Sequence, residues 1–510
     1  MRTTAVSDFS GGWNPRDAWS AVADNELPDA LNITLDERGG ITKRLGLTKY
    51  NQTQIATGQL ENLWYSAALN LILAQQGTTL YKSVPGSGTF ASFHTLASGA
   101  RVCFVDFLGK AYFASLTDAF KSYDGTTVSA AIANAPLASM AAVWQNAIWS
   151  GGDPGAPTRV MRSDLGAGAW TVSPGPPVTP VTVDIRVHDD KPLTAMGSGA
   201  GMDTQGRGGM LVFKEDSTYR IYDSEKGAYT VLSATHGAGG PLAVHTSNGI
   251  TFAVSTKGII GMIGDDTEPK ILSSKVDPVF HPAQQNMTRQ GDMVACRYHE
   301  RLLFSLSRAG SNVNNITLEM HPDQGWIVPH SFGLACGTTV ERSDASTRTS
   351  KLFGGASSAG YVYEVFKGGS DDGVPISSRA QIRWREPSQG NQCRWRRLIV
   401  MGRGKFNLYF KHDYAAGIGE LYPVEILGES DVWGGGVYWG DGSLWGADQF
   451  QGYSQSMYSL GHGRAYSFEI QESSSTSSVG SKLLDDGVAE ETGAFSLYGF
   501  SIQHQELGLS

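Results

Sequence analysis

The sequence predicts an all-β chain: a β-propeller-like body of about six or seven blades, a C-terminal β-sandwich domain and an extended N-terminal arm. Three observations predict it. Apolar and polar residues alternate over short runs, the period of strands with one buried face, and helical spacing is scarce. The runs are cut by Asp-Gly and Asn-Gly pairs, residues that tolerate the positive φ of tight hairpins. Groups of such runs restart roughly 40 to 60 residues apart, the spacing of four-stranded blades.

Taken in order, residues 1–57 stand outside the repeat and read as an exposed arm, with a short turn or helix around Asn25 to Asn32. Residues 58–385 form the propeller-like body. Its units start near Leu60, Val102, Met140, Thr194, Ala243, Met293 and Lys351. The clearest unit has four runs, Met293 to Tyr298, Arg301 to Ser307, Ile316 to Met320 and Trp326 to Val328, separated by turns. No W-D dipeptide or double glycine recurs in register, so the repeat is structural rather than literal, and stacked sandwiches would give a similar strand count. The segment PGPPVTP, Pro174 to Pro180, lacks amide donors and suits a surface crossing. Beyond Glu386 the composition shifts, and residues 386–510 read as the C-terminal sandwich.

Composition narrows the function classes. A formal net charge of -9 argues against general affinity for nucleic-acid phosphates, which rests on Lys and Arg releasing counterions. Cys103, Cys296, Cys336 and Cys393 lie far apart without a C-x-x-C pair, the pattern of reduced thiols and not of a disulfide framework or zinc site. Met1 to Ser10 carries no cationic start followed by an apolar core, and no stretch of about 18 apolar residues occurs. The expectation is a chain made in the cytoplasm without membrane insertion.

Catalytic patterns are missing from the sequence. There is no G-x-S-x-G elbow, P-loop, H-E-x-x-H or EF-hand spacing, and the eleven histidines are scattered. Arg162-Ser163-Asp164-Leu165-Gly166, followed by Trp170, approximates one Asp-box turn of sialidase-like propellers. A glycosidase needs two facing carboxylates besides. The expectation is therefore no enzyme, no cofactor and no metal. Paired acids such as Asp371-Asp372 read as solvated turn residues.

Two segments invite partner readings. Between Arg379 and Lys411 a basic cluster holds one acid, Glu386, and is interleaved with Trp384 and Trp395. In a strand Arg383 and Arg385 share one face and Trp384 takes the other, which suits a surface or subunit-facing charge row over a packed aromatic better than a DNA contact. In VWGGGVYWGDGSLWGADQF, Trp433, Trp439 and Trp445 recur every six residues in a glycine-rich loop, a candidate anchor for a protein partner or a glycan.

The termini carry a resemblance. Phe9, Gly11, Gly12 and Asn14 are followed by Glu26, Pro28, Ala30 and Asn32, then by Leu35, Asp36, Gly39, Ile41, Lys43, Arg44 and Gly46. In that order they resemble the N-terminus of tail nozzle or hub proteins (tail tubular or head-to-tail stabilisation proteins) of short-tailed bacteriophages. Gly463 to Ile470, Phe495 to Ile502 and Glu506-Leu507-Gly508 resemble the closing strands of the same group. The resemblance implies a virion protein: a subunit of a homo-oligomeric, hexameric ring below portal and adaptor proteins, near tail fibres or spikes. Genomic DNA would pass through its lumen without sequence-specific binding. Phe9, Trp13, Asn14, Asn32, Lys43 and Arg44 are then candidate assembly residues. The competing readings are a tail adhesin that binds host glycan through Trp433, Trp439 and Trp445, and a polysaccharide depolymerase.

Overall fold

A computed structural model describes residues 2–506 apart from 37–38, 172–180, 186–189, 203–207, 224–227, 248, 264–267, 344–347, 388–390, 416–418, 427–453, 459, 473–479, 484–488 and 493–494. The all-β expectation holds: 52% of the chain is strand and 3% helix. Two compact units form, one of residues 48–322 with 331–365, the other of residues 1–47, 323–330 and 366–510.

Among the described residues the first unit carries seven consecutive antiparallel meanders of three or four strands, the sixth taking its last strand from Ile327–His330. Their leading strands are Asn62–Ser66, Cys103–Phe107, Met140–Trp144, Ala195–Met202, Val244–Ser247, Val294–Tyr298 and Leu334–Ser343. In the clearest case the observed strands Val294–Tyr298, Arg301–Leu306 and Ile316–Met320 fall on the runs read from sequence.

Alternation explains how the sheets stack. In Leu71–Gln76, the strand after the first leading strand, Ile72 and Ala74 pack on Cys336, Phe353 and Val362 of the seventh sheet. Leu73 points the other way, onto Phe104, Phe113 and Tyr123 of the second. In Lys110–Ala114, Ala111 and Phe113 face the first sheet, while Tyr112 and Ala114 face Ile148 of the third. Both faces of these strands are buried, so hydrophobicity runs almost unbroken along them. Each leading strand neighbours the next, and Leu334–Ser343 neighbours Asn62–Ser66.

The segment ahead of the first sheet completes the seventh. Tyr50 N–H donates to Val362 O at 2.8 Å, and Ile55 N–H to Gly360 O at 2.9 Å. Buried Asn51 accepts from Val362 N–H at 2.7 Å and donates through Nδ2 to Gly360 O at 3.2 Å.

The second unit is built around Cys393–His412, a 20-residue strand. Its N-terminal half pairs with Phe495–Glu506 and Ser454–Tyr458, its C-terminal half with Tyr466–Glu472 and Glu420–Ile426. Register shifts at Trp395/Arg397 and Met401/Gly402 mark irregularities that let one strand turn between partners.

The N-terminal segment is not an exposed arm. Arg2–Val6 and Ile41–Lys43 pair with Phe495–Glu506, and Asp29–Leu31 pairs with Arg379–Gln381. Phe9, Leu27, Ala30, Ile33, Leu35 and Ile41 enter one core with Trp395, Leu398, Phe410, Phe468 and Phe500. Within Asn25 to Asn32 a turn at Asn25 leads into the short strands Glu26–Leu27 and Asp29–Leu31, with no helix, and Leu27 and Ala30 pack into this core.

Candidate functional site

Asn32 and Arg44, two of the residues that carry the N-terminal resemblance, meet in one hydrogen-bonded network in the second unit. Asn32 adopts φ 54°, in the left-handed region where Asn is one of the few tolerated side chains. Its N–H donates to Pro329 O at 2.9 Å and its Nδ2 to Ser377 O at 2.7 Å. Its Oδ1 accepts from Arg44 Nε at 2.9 Å.

Arg44 is fully buried and its fork is saturated. Nη1 donates to Leu45 O at 2.9 Å and Asp371 Oδ1 at 2.8 Å, and Nη2 donates to Asp371 Oδ2 at 2.6 Å. This bidentate geometry suits arginine and not lysine. Asp371 is thus half of an ion pair and not only a solvated turn residue, while Asp372 (φ 50°) and Gly373 (φ 86°) make the tight hairpin expected of an Asp-Gly pair. Gly46 follows because a Cβ there would lie 2.0 Å from Ser370 O.

A second cluster lies upstream. Asn14 donates through Nδ2 to Glu26 Oε2 at 2.7 Å and Asp17 Oδ2 at 2.9 Å, and its N–H donates to Leu27 O at 2.8 Å. Phe9 packs with its ring centroid 6.4 Å from that of Phe500, and Trp13 is half-buried against the same core. Lys43 is buried as well.

Phe9, Asn14, Asn32, Lys43 and Arg44 are therefore buried inside their own unit. As direct subunit contacts they would need to reach the surface; in this chain Phe9, Asn32 and Arg44 tie the N-terminal segment to Phe500, Ser377 and Asp371, and Asn14 braces the segment internally. Trp433, Trp439 and Trp445 lie outside the described residues.

Four members of the basic cluster are ion-paired within the chain. Arg383 and Arg385 both reach Asp24 Oδ1, at 2.7 and 3.2 Å, Arg379 pairs with Asp29 at 2.8 Å, and Lys411 with Glu469 at 2.6 Å. Trp384 is buried on the opposite face, as alternation requires. These four charges are compensated locally, while Arg396 and Arg397 bond the neutral side chains of Gln505 and Ser456.

The Asp-box-like turn is structural. Asp164 Oδ2 accepts from Thr171 N–H at 3.0 Å, and Trp170 is buried in a stack on Phe120 with centroids 4.9 Å apart. All four cysteines are buried and free, and burial pushes Cys103, Cys296 and Cys336 up to about 12, far from a reactive thiolate. Among the described residues no group of His, Cys, Asp and Glu is placed to hold a metal ion.

Sequence reasoning missed one constellation, the polar groups on the leading strands of the first unit. Ser66 Oγ donates to Asp106 Oδ1 at 2.7 Å, Tyr65 N–H donates to Thr338 Oγ1 at 2.9 Å, and Thr339 Oγ1 donates to Arg297 O. Burial, with the Arg297 charge adding to it and Glu341 opposing, holds the His245 imidazole down at about 4. These residues come from sheets one, two, five, six and seven, and no local pattern links them.

No family model matches the sequence, and no curated protein does. Among solved structures the chain is similar to the extracellular domain of a one-component system from B. thetaiotaomicron, at 9% identity and TM-score 0.44, covering 93% of this chain and 63% of that one. It is also similar to a computationally designed protein, Ika8, at 10% identity and TM-score 0.36, over 62% of this chain and all of that one. A chain of the mitotic checkpoint complex matches at 9% identity and TM-score 0.39, over 62% of this chain and 96% of that one. None of these likenesses is close enough to transfer a function.

Proposed function

We propose that the chain is a structural subunit of a short-tailed phage tail, a nozzle or hub protein that assembles into a ring of identical copies. One observation carries the reading. The two regions that resemble such proteins, Phe9 to Gly46 and Gly463 to Gly508, lie at opposite ends of the sequence, yet both belong to the second unit, whose Ile41–Lys43 and Arg2–Val6 pair with Phe495–Glu506.

The first unit is proposed to be a seven-bladed β-propeller. Seven meandering sheets, neighbouring leading strands and the return of the seventh sheet to the first support it. So does the closure by Tyr50, Asn51 and Ile55, where both ends of the unit meet in one sheet.

A ring of identical subunits uses a heterologous contact that closes by rotation. The net charge of -9 favours a lumen that repels the phosphate backbone, so that DNA slides without sticking. Mass photometry and electron microscopy of the purified full chain test the assembly. A closed ring of one defined copy number, hexameric by the resemblance, is expected. A monomer at every concentration tried would overturn the self-assembling ring.

A further inference from the structure

The second unit holds an open cavity of about 470 Å³ lined by Trp19, Ser20, Trp384, Lys411, Tyr414 and Ala415. We propose that it is a carbohydrate-binding site, a role independent of ring assembly and separate from the Trp433 loop.

Two of the three aromatics that line the cavity, Trp19 and Tyr414, are exposed, and the third, Trp384, is buried. Trp19 is 44% exposed and Tyr414 49%, flanking Trp384, whose ring centroid lies 5.0 Å from that of Tyr414. Exposed aromatics occur elsewhere on the chain, at Tyr222, Tyr458 and Tyr498, but Trp19 and Tyr414 line the same cavity.

Their positions are fixed. Trp384 N–H donates to Trp19 O at 3.3 Å, and the salt bridges of Arg383 and Arg385 to Asp24 clamp the Trp19 loop on both sides of Trp384. Asp413 (φ 48°) and Tyr414 (φ 61°) sit in the left-handed region, a conformation costly for tyrosine. Asp413 Oδ1 holds that turn by accepting from Arg464 N–H at 2.5 Å and Ala465 N–H at 3.2 Å, and the Tyr414 hydroxyl donates to Glu386.

The chemistry selects the ligand class. A sugar ring offers a C–H face that packs on an aromatic plane and an edge of hydroxyls that both donate and accept. Here the planes are rimmed by the Ser20 hydroxyl, the Tyr414–Glu386 pair and Lys411 Nζ, itself held by Glu469 at 2.6 Å. Carboxylates Asp24, Glu386, Asp413 and Glu469 offset Arg383, Arg385 and Lys411, which leaves no surplus of positive charge to draw a polyanion, and the polar rim disfavours a purely aliphatic ligand. The volume falls within the range of small-ligand sites and suits one or two sugar rings.

The test is an array of bacterial surface oligosaccharides read with the full chain, followed by titration calorimetry on the best of them. A proline-rich decapeptide and sheared DNA serve as comparison ligands. Binding in roughly the 0.1–1 mM range is expected, as for a shallow site on a small ligand. Trp19→Ala, at an exposed position, should weaken it tenfold or more, Trp19→Phe should restore part of it, and the unfolding midpoint should not move. No oligosaccharide bound above the Trp19→Ala background, or binding of only the peptide or the DNA, would overturn the assignment.

Discussion

Asn32 and Arg44 show at the scale of single residues what the N-terminal motif is for. Arg44 is buried with a full set of acceptors, and Asn32 supplies one of them from a backbone conformation that excludes most residues. Removing one partner leaves the other charge buried, so Asp371→Ala should cost about 3–5 kcal/mol, read by denaturant unfolding. Asn32→Gly keeps the backbone and loses the bonds, whereas Asn32→Ala loses both; the alanine variant should be less stable than the glycine variant by about 1 kcal/mol. Equal stabilities would show that the left-handed turn does not matter. The sequence displayed these residues in order but not their burial, because Arg44 meets Asp371 across 327 positions and Asn32 meets Ser377 across 345. No local periodicity reports a partner that far away.

At the scale of elements, the strands were legible where alternation was strong, and some turns were not. Asp372-Gly373 announces its hairpin, but Leu108-Gly109 and Gln145-Asn146 also turn at positive φ, and neither Leu nor Gln marks such a turn in a sequence. The strap from Tyr50 to Ile55 was hidden for a different reason: its partners, Gly360 and Val362, belong to the far end of the unit. Asn51→Ala should cost about 1–3 kcal/mol by leaving the Val362 N–H without its acceptor. Hydrogen exchange should show that amide opening faster than amides in the central strands.

His245 is expected to lower the stability of the first unit in acid. Its folded value of about 4 lies below the roughly 6.5 of an unfolded histidine, so the unfolded chain takes up the proton first as pH falls. Stability is therefore fullest above about pH 6.5 and declines toward pH 4, by at most about 1.4 kcal/mol per pH unit from this group. His245→Gln should flatten that slope in unfolding experiments run across the window. An unchanged slope would contradict a depressed His245 value in the folded chain.

At the scale of the whole molecule, the chain's two ends make one core. Residues 1–47 supply Phe9, Leu27, Ile33, Leu35 and Ile41 to the apolar cluster that also holds Trp395, Phe410 and Phe500. Deleting residues 1–47 should therefore leave the C-terminal strands unable to fold, seen as insolubility or rapid proteolysis beyond residue 366. A truncated chain with native resistance there would refute the shared core. This pairing also links the fold to the proposed function, since the two ends that resemble phage tail proteins are the ones that fold together.

That proposal meets its most direct test in immunogold electron microscopy of purified virions from a phage that encodes this chain, labelled with antibody to the full-length protein. The nozzle reading predicts gold at the neck or on the tail axis below the portal. Gold on distal fibres, or none on intact and osmotically opened virions alike, would contradict it.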